Sequence, residues 1–162
     1  RDADNIAYGS TLSNDRHAGT SFDYLIANPP YGKDWKRDED AVRAEHERGA
    51  AGRFAPGLPR ISDGQLLFLL HMLAHAKDPK EGGSPIAIIM NGSPLFTGDA
   101  GSGASEIRRF ILENDLLEAL IAPGLPHHRQ HAHRPPEPGP ARHDLPLPAA
   151  PGVVSRLRAD DG

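Results

Sequence analysis

A run of strand length, Phe22-Asp23-Tyr24-Leu25-Ile26-Ala27, ends abruptly at Asn28-Pro29-Pro30-Tyr31. Two consecutive prolines remove two backbone donors, so an interior strand cannot continue through them. The residue before a proline is pushed towards extended geometry, which holds Asn28 at the strand's carboxyl end. In open α/β sheets that end is where ligands bind.

The remaining pattern fits such a sheet. Residues 5–8 (Asn5-Ile6-Ala7-Tyr8) read as a short extended segment before the motif strand. Residues 32–61 are polar, with a short solvated helix over the mixed charges from Asp38 to Arg48 and an irregular glycine- and proline-rich loop around Arg53-Phe54. Ser62-Asp63-Gly64-Gln65 has the spacing of a capping box and launches the apolar, buried helix Leu66-Leu67-Phe68-Leu69-Leu70-His71-Met72-Leu73. Ile86-Ala87-Ile88-Ile89-Met90 reads as a buried strand of parallel type. Ser102 or Ser105 is placed to cap a helix carrying Ile107, Phe110 and Ile111. Gly101 and Gly103 enter that helix without the dinucleotide fingerprint. Leu116-Leu117-Glu118-Ala119-Leu120-Ile121 is the last strand candidate. The alternation of strand and helix defines an α/β fold.

The corner at Asn28 suits one chemistry in particular. An aromatic NH2 is a weak nucleophile because its lone pair is delocalised into the ring. Acceptors for both of its hydrogens, here the Asn28 side-chain oxygen and the Pro29 carbonyl, favour a more pyramidal, more nucleophilic nitrogen. Tyr31 is placed to stack on a base swung out of its helix, an interaction of about 1–3 kcal/mol. Asn28, Pro29, Pro30 and Tyr31 are therefore the candidate catalytic residues, with Lys36 and Arg53 as candidate phosphate contacts. The motif by itself serves a nucleobase amine and a glutamine side-chain amide equally, since both are planar NH2 groups.

Bulk properties bound the rest. There is no cysteine, which excludes disulfides and thiolate metal sites. No apolar run reaches membrane-spanning length and no signal peptide is evident, so a cytoplasmic protein without membrane contact is expected. The net charge of −4 is unlike that of a self-sufficient DNA binder, so other segments or subunits would supply much of any grip on DNA. His71 and His75 lie one helical turn apart with no acid between them and read as structural, so no metal centre is expected.

Past Ala122 the composition changes. Residues 123–162 hold nine of the 16 prolines and five of the nine histidines but no Phe, Tyr, Met, Ile, Asn or Lys. Residues with AT-rich codons are thus missing together, as in a GC-rich gene read out of frame. A disordered tail is expected, with His127, His128, His131 and His133 as accidental neighbours. The domain division is accordingly 1–122 and 123–162.

The Asn28-Pro29-Pro30-Tyr31 block resembles that of amino-group methyltransferases, in which it holds the target amine. Further blocks extend the likeness over residues 5–122: Gly32, Asp34-Trp35-Lys36, Gly52-Arg53-Phe54, Gly57-Leu58-Pro59-Arg60, the helix from Ser62 to Leu73, and the stretch from Asn91-Gly92-Ser93-Pro94 to Gly101. Together they resemble the modification subunit of type I restriction–modification systems, an N6-adenine DNA methylase family. The resemblance implies adenine-N6 methylation of DNA rather than glutamine methylation. It also implies S-adenosyl-L-methionine as methyl donor and assembly with a specificity subunit and a restriction subunit. It implies a partial Rossmann-like methyltransferase sheet, whose full strand order is 3-2-1-4-5-7-6 and of which residues 1–122 would supply strands 3 to 6. Only strands 4 and 5 would then be neighbours, with strands 3 and 6 unpartnered. The family's glycine-rich cofactor loop would lie upstream of Arg1, and Ser10 stands near where many relatives place an acid. The isolated chain is expected to be marginally stable and unable to methylate, checked by calorimetry with S-adenosyl-L-methionine. The competing expectations are a non-catalytic assembly or DNA-binding module and a glutamine-amide methyltransferase.

Overall fold

The computed structural model describes residues 5–122 and the backbone of 153–157. Its elements in chain order are β1 (Leu25–Ala27), α1 (Glu39–His46), α2 (Gln65–Ala74), β2 (Ile86–Met90), a single turn α3 (Ser93–Phe96), α4 (Gly103–Glu113), β3 (Leu117–Ile121) and β4 (Val153–Leu157). The fold is mixed α/β around a four-stranded sheet of order β1-β2-β4-β3.

β1 and β2 pair in parallel, Leu25 with Ile86 and Ala27 with Ile88. Parallel neighbours need a crossover, and residues 28–85 with α2 provide it. β2 buries alternate residues: Ile86, Ile88 and Met90 enter the core, whereas Ile89 on the other face is 40% exposed. The expectation of a strand covered on both sides is thus met on one face only. On that face α2 contributes Leu66, Leu67, Leu69, Leu70 and Met72, and α4 contributes Ala104, Ile107 and Ile111, to one core with Val42 of α1 and Phe54. Tyr24 and Ile26 remain exposed beside Ile89.

Three expectations need correction. Residues 5–8 form no strand; Ile6 and Tyr8 lie open to solvent and pair with no neighbour among the described residues. β3 does not lack a partner, because β4 lies between it and β2, antiparallel to both. A tail disordered throughout is therefore corrected at 153–157, whose backbone groups complete the two ladders. The remainder of the tail, with its histidines, lies outside the described residues. Thirdly, the capping box at Ser62 does not form. α2 begins at Gln65 after Gly64, and the Asp63 carboxylate, not the Ser62 hydroxyl, accepts from the Gln65 amide at 3.3 Å. Ser102, by contrast, caps α4 as its sequence position implies, accepting from the Ser105 amide at 3.3 Å.

The irregular segment between α1 and α2 is fixed by close backbone approach. A Cβ on Gly52 would meet the Glu45 carbonyl oxygen at 2.1 Å, and one on Gly103 would meet the Leu58 carbonyl oxygen at 1.9 Å. Glycine therefore lets the loop lie directly on α1 and on the first turn of α4.

Candidate active site

Because β1 and β2 run in parallel, their carboxyl ends lie on one edge of the sheet, and Asn28 and Asn91 extend from it one residue beyond each strand. Pro29 is buried and Pro30 exposed, so the double proline anchors the corner from one side. Asn28 is exposed and Tyr31 is 44% exposed, and the Tyr31 phenol donates to Asn28 Oδ1 at 2.7 Å. A carboxamide oxygen has two lone pairs, so one remains for a further donor. The Pro29 carbonyl accepts no hydrogen bond among the described residues. The corner thus holds the Asn28 amide oxygen and the Tyr31 phenol together in exposed residues, with buried Pro29 between them in the chain. Cavities lie elsewhere, one between α2, α4, β2 and β3 around Met90 and Ile111, another along β1 around Phe22 and Ile26; neither is lined by Asn28 or Tyr31.

The segment after Tyr31 is held by Trp35, which is 2% exposed. Its amide donates to the Ile61 carbonyl and its indole to the Arg60 carbonyl, both at 3.0 Å. Lys36 opens the short 3-10 turn that follows, exposed, with its amide 3.3 Å from Asp34 Oδ1.

Arg53 has a different role from the phosphate contact its sequence context invites. Its Nε and one terminal nitrogen grip both Glu45 oxygens at 2.8 and 2.7 Å. The remaining hydrogens go to the Thr11 carbonyl at 2.9 Å, the Leu12 carbonyl at 3.1 Å and His71 Nδ1 at 2.8 Å. All five donors of the guanidinium are therefore engaged inside the protein. The phosphate expectation for Arg53 is corrected on that ground: this side chain ties residues 11–12, α1 and α2 together.

The same cluster contains the one triad of metal-ligand type found among the described residues, Asp15, His71 and His75, with one atom from each lying within 4.8 Å of the others. Its donor chemistry does not suit a cation. An arginine can only donate, so His71 Nδ1 must accept and its other nitrogen carries the proton. His75 Nδ1 must donate to the Thr20 carbonyl at 2.6 Å, and its Nε2 lies 2.9 Å from Asp15 Oδ2. Arg53 itself stands 3.7 Å from Asp15 and fills the cationic role.

Burial, then the nearby His75 ring and Arg53 guanidinium, lower the His71 pKa from 6.5 to about 4. Burial alone would raise Asp15, but the His17 amide and the His75 ring hold it below the usual carboxylate range. Glu45 is likewise lowered, because Arg53 outweighs the effect of burial. The sign follows from proton uptake. Between pH 6.5 and about 4 the unfolded chain binds a proton at residue 71 that the folded chain refuses, so stability falls as pH falls through that window. Below that window the two depressed carboxylates weaken the fold further in the same direction. Urea midpoints should therefore drop steadily from pH 7 to pH 4, and His71→Asn should flatten the upper part of the slope.

A second buried cluster lies beside the corner and escaped the sequence reading. Gln65, fully buried, donates from Nε2 to Asp63 Oδ1 and to Asn91 Oδ1, each at 2.9 Å, and accepts the Asn91 amide at 2.9 Å. Asn91 Oδ1 also takes the Ser93 amide at 2.9 Å, and the Ser93 hydroxyl donates to Asp63. The sequence signal was present, an amide immediately after β2 and a Gln at the start of α2, but local spacing assigned Gln65 to a cap.

The N-6 DNA methylase family matches residues 1–128, and the chain belongs to that family. Over 117 residues it is 27% identical to the type I restriction enzyme MjaIX methylase subunit of Methanocaldococcus jannaschii, covering 72% of this chain and 20% of that protein. In fold it is similar to the type I restriction–modification methyltransferase subunit from Streptococcus thermophilus, with a TM-score of 0.64 and 23% identity over 94% of this chain and 27% of the other. A chain from a structure of type I R-M complex assembly and conformational transition matches with a TM-score of 0.55 and 19% identity, over 94% of this chain and 25% of that one. The chain thus spans about a fifth of its curated relative and about a quarter of these structures.

Proposed function

We propose that this chain is the part of a type I restriction–modification DNA methyltransferase that holds the target adenine while its N6 amine is methylated. The observation that carries the reading is the corner at the end of β1, where exposed Asn28 keeps one Oδ1 lone pair and the Pro29 carbonyl accepts no hydrogen bond among the described residues. Those two acceptors take the amine hydrogens. Pro30 stiffens the turn, and Tyr31 stacks on the extruded base with its phenol steadied by Asn28. Lys36 contacts a neighbouring phosphate. In this reading β1, β2 and β3 stand for the family's fourth, fifth and sixth strands, and β4 for the seventh, antiparallel strand between the last two.

The family implies S-adenosyl-L-methionine as methyl donor. The described residues do not furnish its cradle. Among them no glycine-rich turn follows a strand, since Gly98 and Gly101 come after α3, and both β1 and β2 lead into asparagine rather than an acid that could take ribose hydroxyls. This chain's own contribution is therefore to bind and orient the base. The net charge of −4 fits a division of labour in which a specificity subunit reads the DNA and a restriction subunit joins the assembly, in the cytoplasm. No described helix is long and apolar enough to cross a membrane. The exposed Tyr24, Ile26 and Ile89 on one sheet face favour a second reading, an assembly module without catalytic contribution.

Nitrogen-15 NMR on the 162-residue chain separates these readings. Adenosine monophosphate should shift the Asn28 side-chain amide and the Tyr31 backbone amide. Equal or larger shifts with a glutamine-containing peptide would favour amide methylation, and no shift with either would favour the assembly module.

A further inference from the structure

The buried amide cluster beside the corner has a role that follows from what it holds. We infer that Gln65 and Asn91 are positioning residues for Tyr31, acting through the Trp35 segment; the functional side of this inference rests on the base-holding reading above.

The connection can be followed bond by bond. Beyond its own turn, the backbone of residues 33–35 is held by the 60–64 segment: the Trp35 amide donates to Ile61, the Trp35 indole to Arg60, and the Gly64 amide to the Lys33 carbonyl at 3.4 Å. Trp35 packs so closely on Gly64 that a Cβ there would stand 3.3 Å from Cδ1 of the ring. Segment 60–64 is in turn fixed at Asp63, whose carboxylate takes the Gln65 amide, Gln65 Nε2 and the Ser93 hydroxyl. Gln65 then reaches the end of β2 with both ends of its side chain, through Asn91. Both hydrogens and the oxygen of the Gln65 amide are committed, with the residue fully buried, so removing any one leaves an unsatisfied group. Strand β2 thus sets the place of the 60–64 segment, that segment sets Trp35, and Trp35 sets the chain four residues after Tyr31. A purely apolar wedge would fill the same space without fixing this direction.

Hydrogen-exchange mass spectrometry on the full chain tests the inference without requiring any turnover. Gln65→Glu sets a second carboxylate against Asp63 and should speed exchange of residues 31–36 about tenfold while leaving α4 unchanged. Adding Asp63→Asn to Gln65→Glu removes the repulsion between the two carboxylates but leaves the new one facing Asn91 Oδ1 without a donor, so residues 31–36 should recover only part of their protection. Asn91→Ala should show the same localised acceleration. Ile107→Ala, which opens the core at α4, supplies the pattern of general destabilisation. The inference is overturned if the Gln65 and Asn91 variants follow the Ile107 pattern, or if they leave residues 31–36 untouched. Localised acceleration in a chain that shows no Tyr31-dependent nucleobase binding would keep the positioning of Tyr31 and discard the base-holding reading.

Discussion

Arg53→Met is expected to lower the stability of this chain by about 3–5 kcal/mol, measured by urea unfolding at pH 7. Glu45 and Asp15, each with a side chain no more than 15% exposed, would lose the cation that offsets their desolvation. The Thr11 and Leu12 carbonyls would lose their donors as well. Against a total stability of about 5–15 kcal/mol typical of a domain, that loss leaves little margin. Arg53→Lys should recover only part of it, because one ammonium cannot reproduce a planar fork with five hydrogens. A phosphate-contacting arginine would behave in the opposite way, with DNA binding weakened and the urea midpoint unchanged.

The second large effect is expected at Gly103. In an ordinary helix Gly→Ala stabilises by about 1 kcal/mol. Here the new Cβ would lie 1.9 Å from the Leu58 oxygen and 2.7 Å from the Leu58 nitrogen, both backbone atoms that cannot swing aside. Gly103→Ala should therefore destabilise by about 3 kcal/mol as α4 and the 57–58 loop are forced apart. Gly101→Ala provides the contrast. It has open space around it and only a φ of +82° to oppose a side chain, so about 1 kcal/mol is expected. Equal effects at the two glycines would show that the loop does not lie on α4 as described.

The parts of this fold that were legible in the sequence are those written within single segments. The apolar run into Asn28-Pro29-Pro30 located the end of β1, Ser102 located the start of α4, and the apolar block after Gln65 located α2. What was not legible depends on partners far apart in the chain. Arg53 reaches back 41 and 42 residues to Leu12 and Thr11, so its loop context suggested a free cation where the fold makes a hub. Gln65 satisfied a local capping pattern, yet its partner is 26 residues downstream at Asn91. Compositional bias gave residues 153–157 no reason to pair, but two strand edges with open backbone groups accept almost any extended segment. At the corner the structure adds, within the group of residues singled out from the sequence, a Tyr31 to Asn28 hydrogen bond that no local pattern announces.

Quenching of 2-aminopurine in a single-stranded oligonucleotide tests the central claim most directly. Stacking on Tyr31 should quench its fluorescence, Tyr31→Ala should weaken the effect about tenfold, and Tyr31→Phe, which keeps the ring, should nearly preserve it. Quenching that is absent, or that is the same in the parent and Tyr31→Ala, would contradict the account.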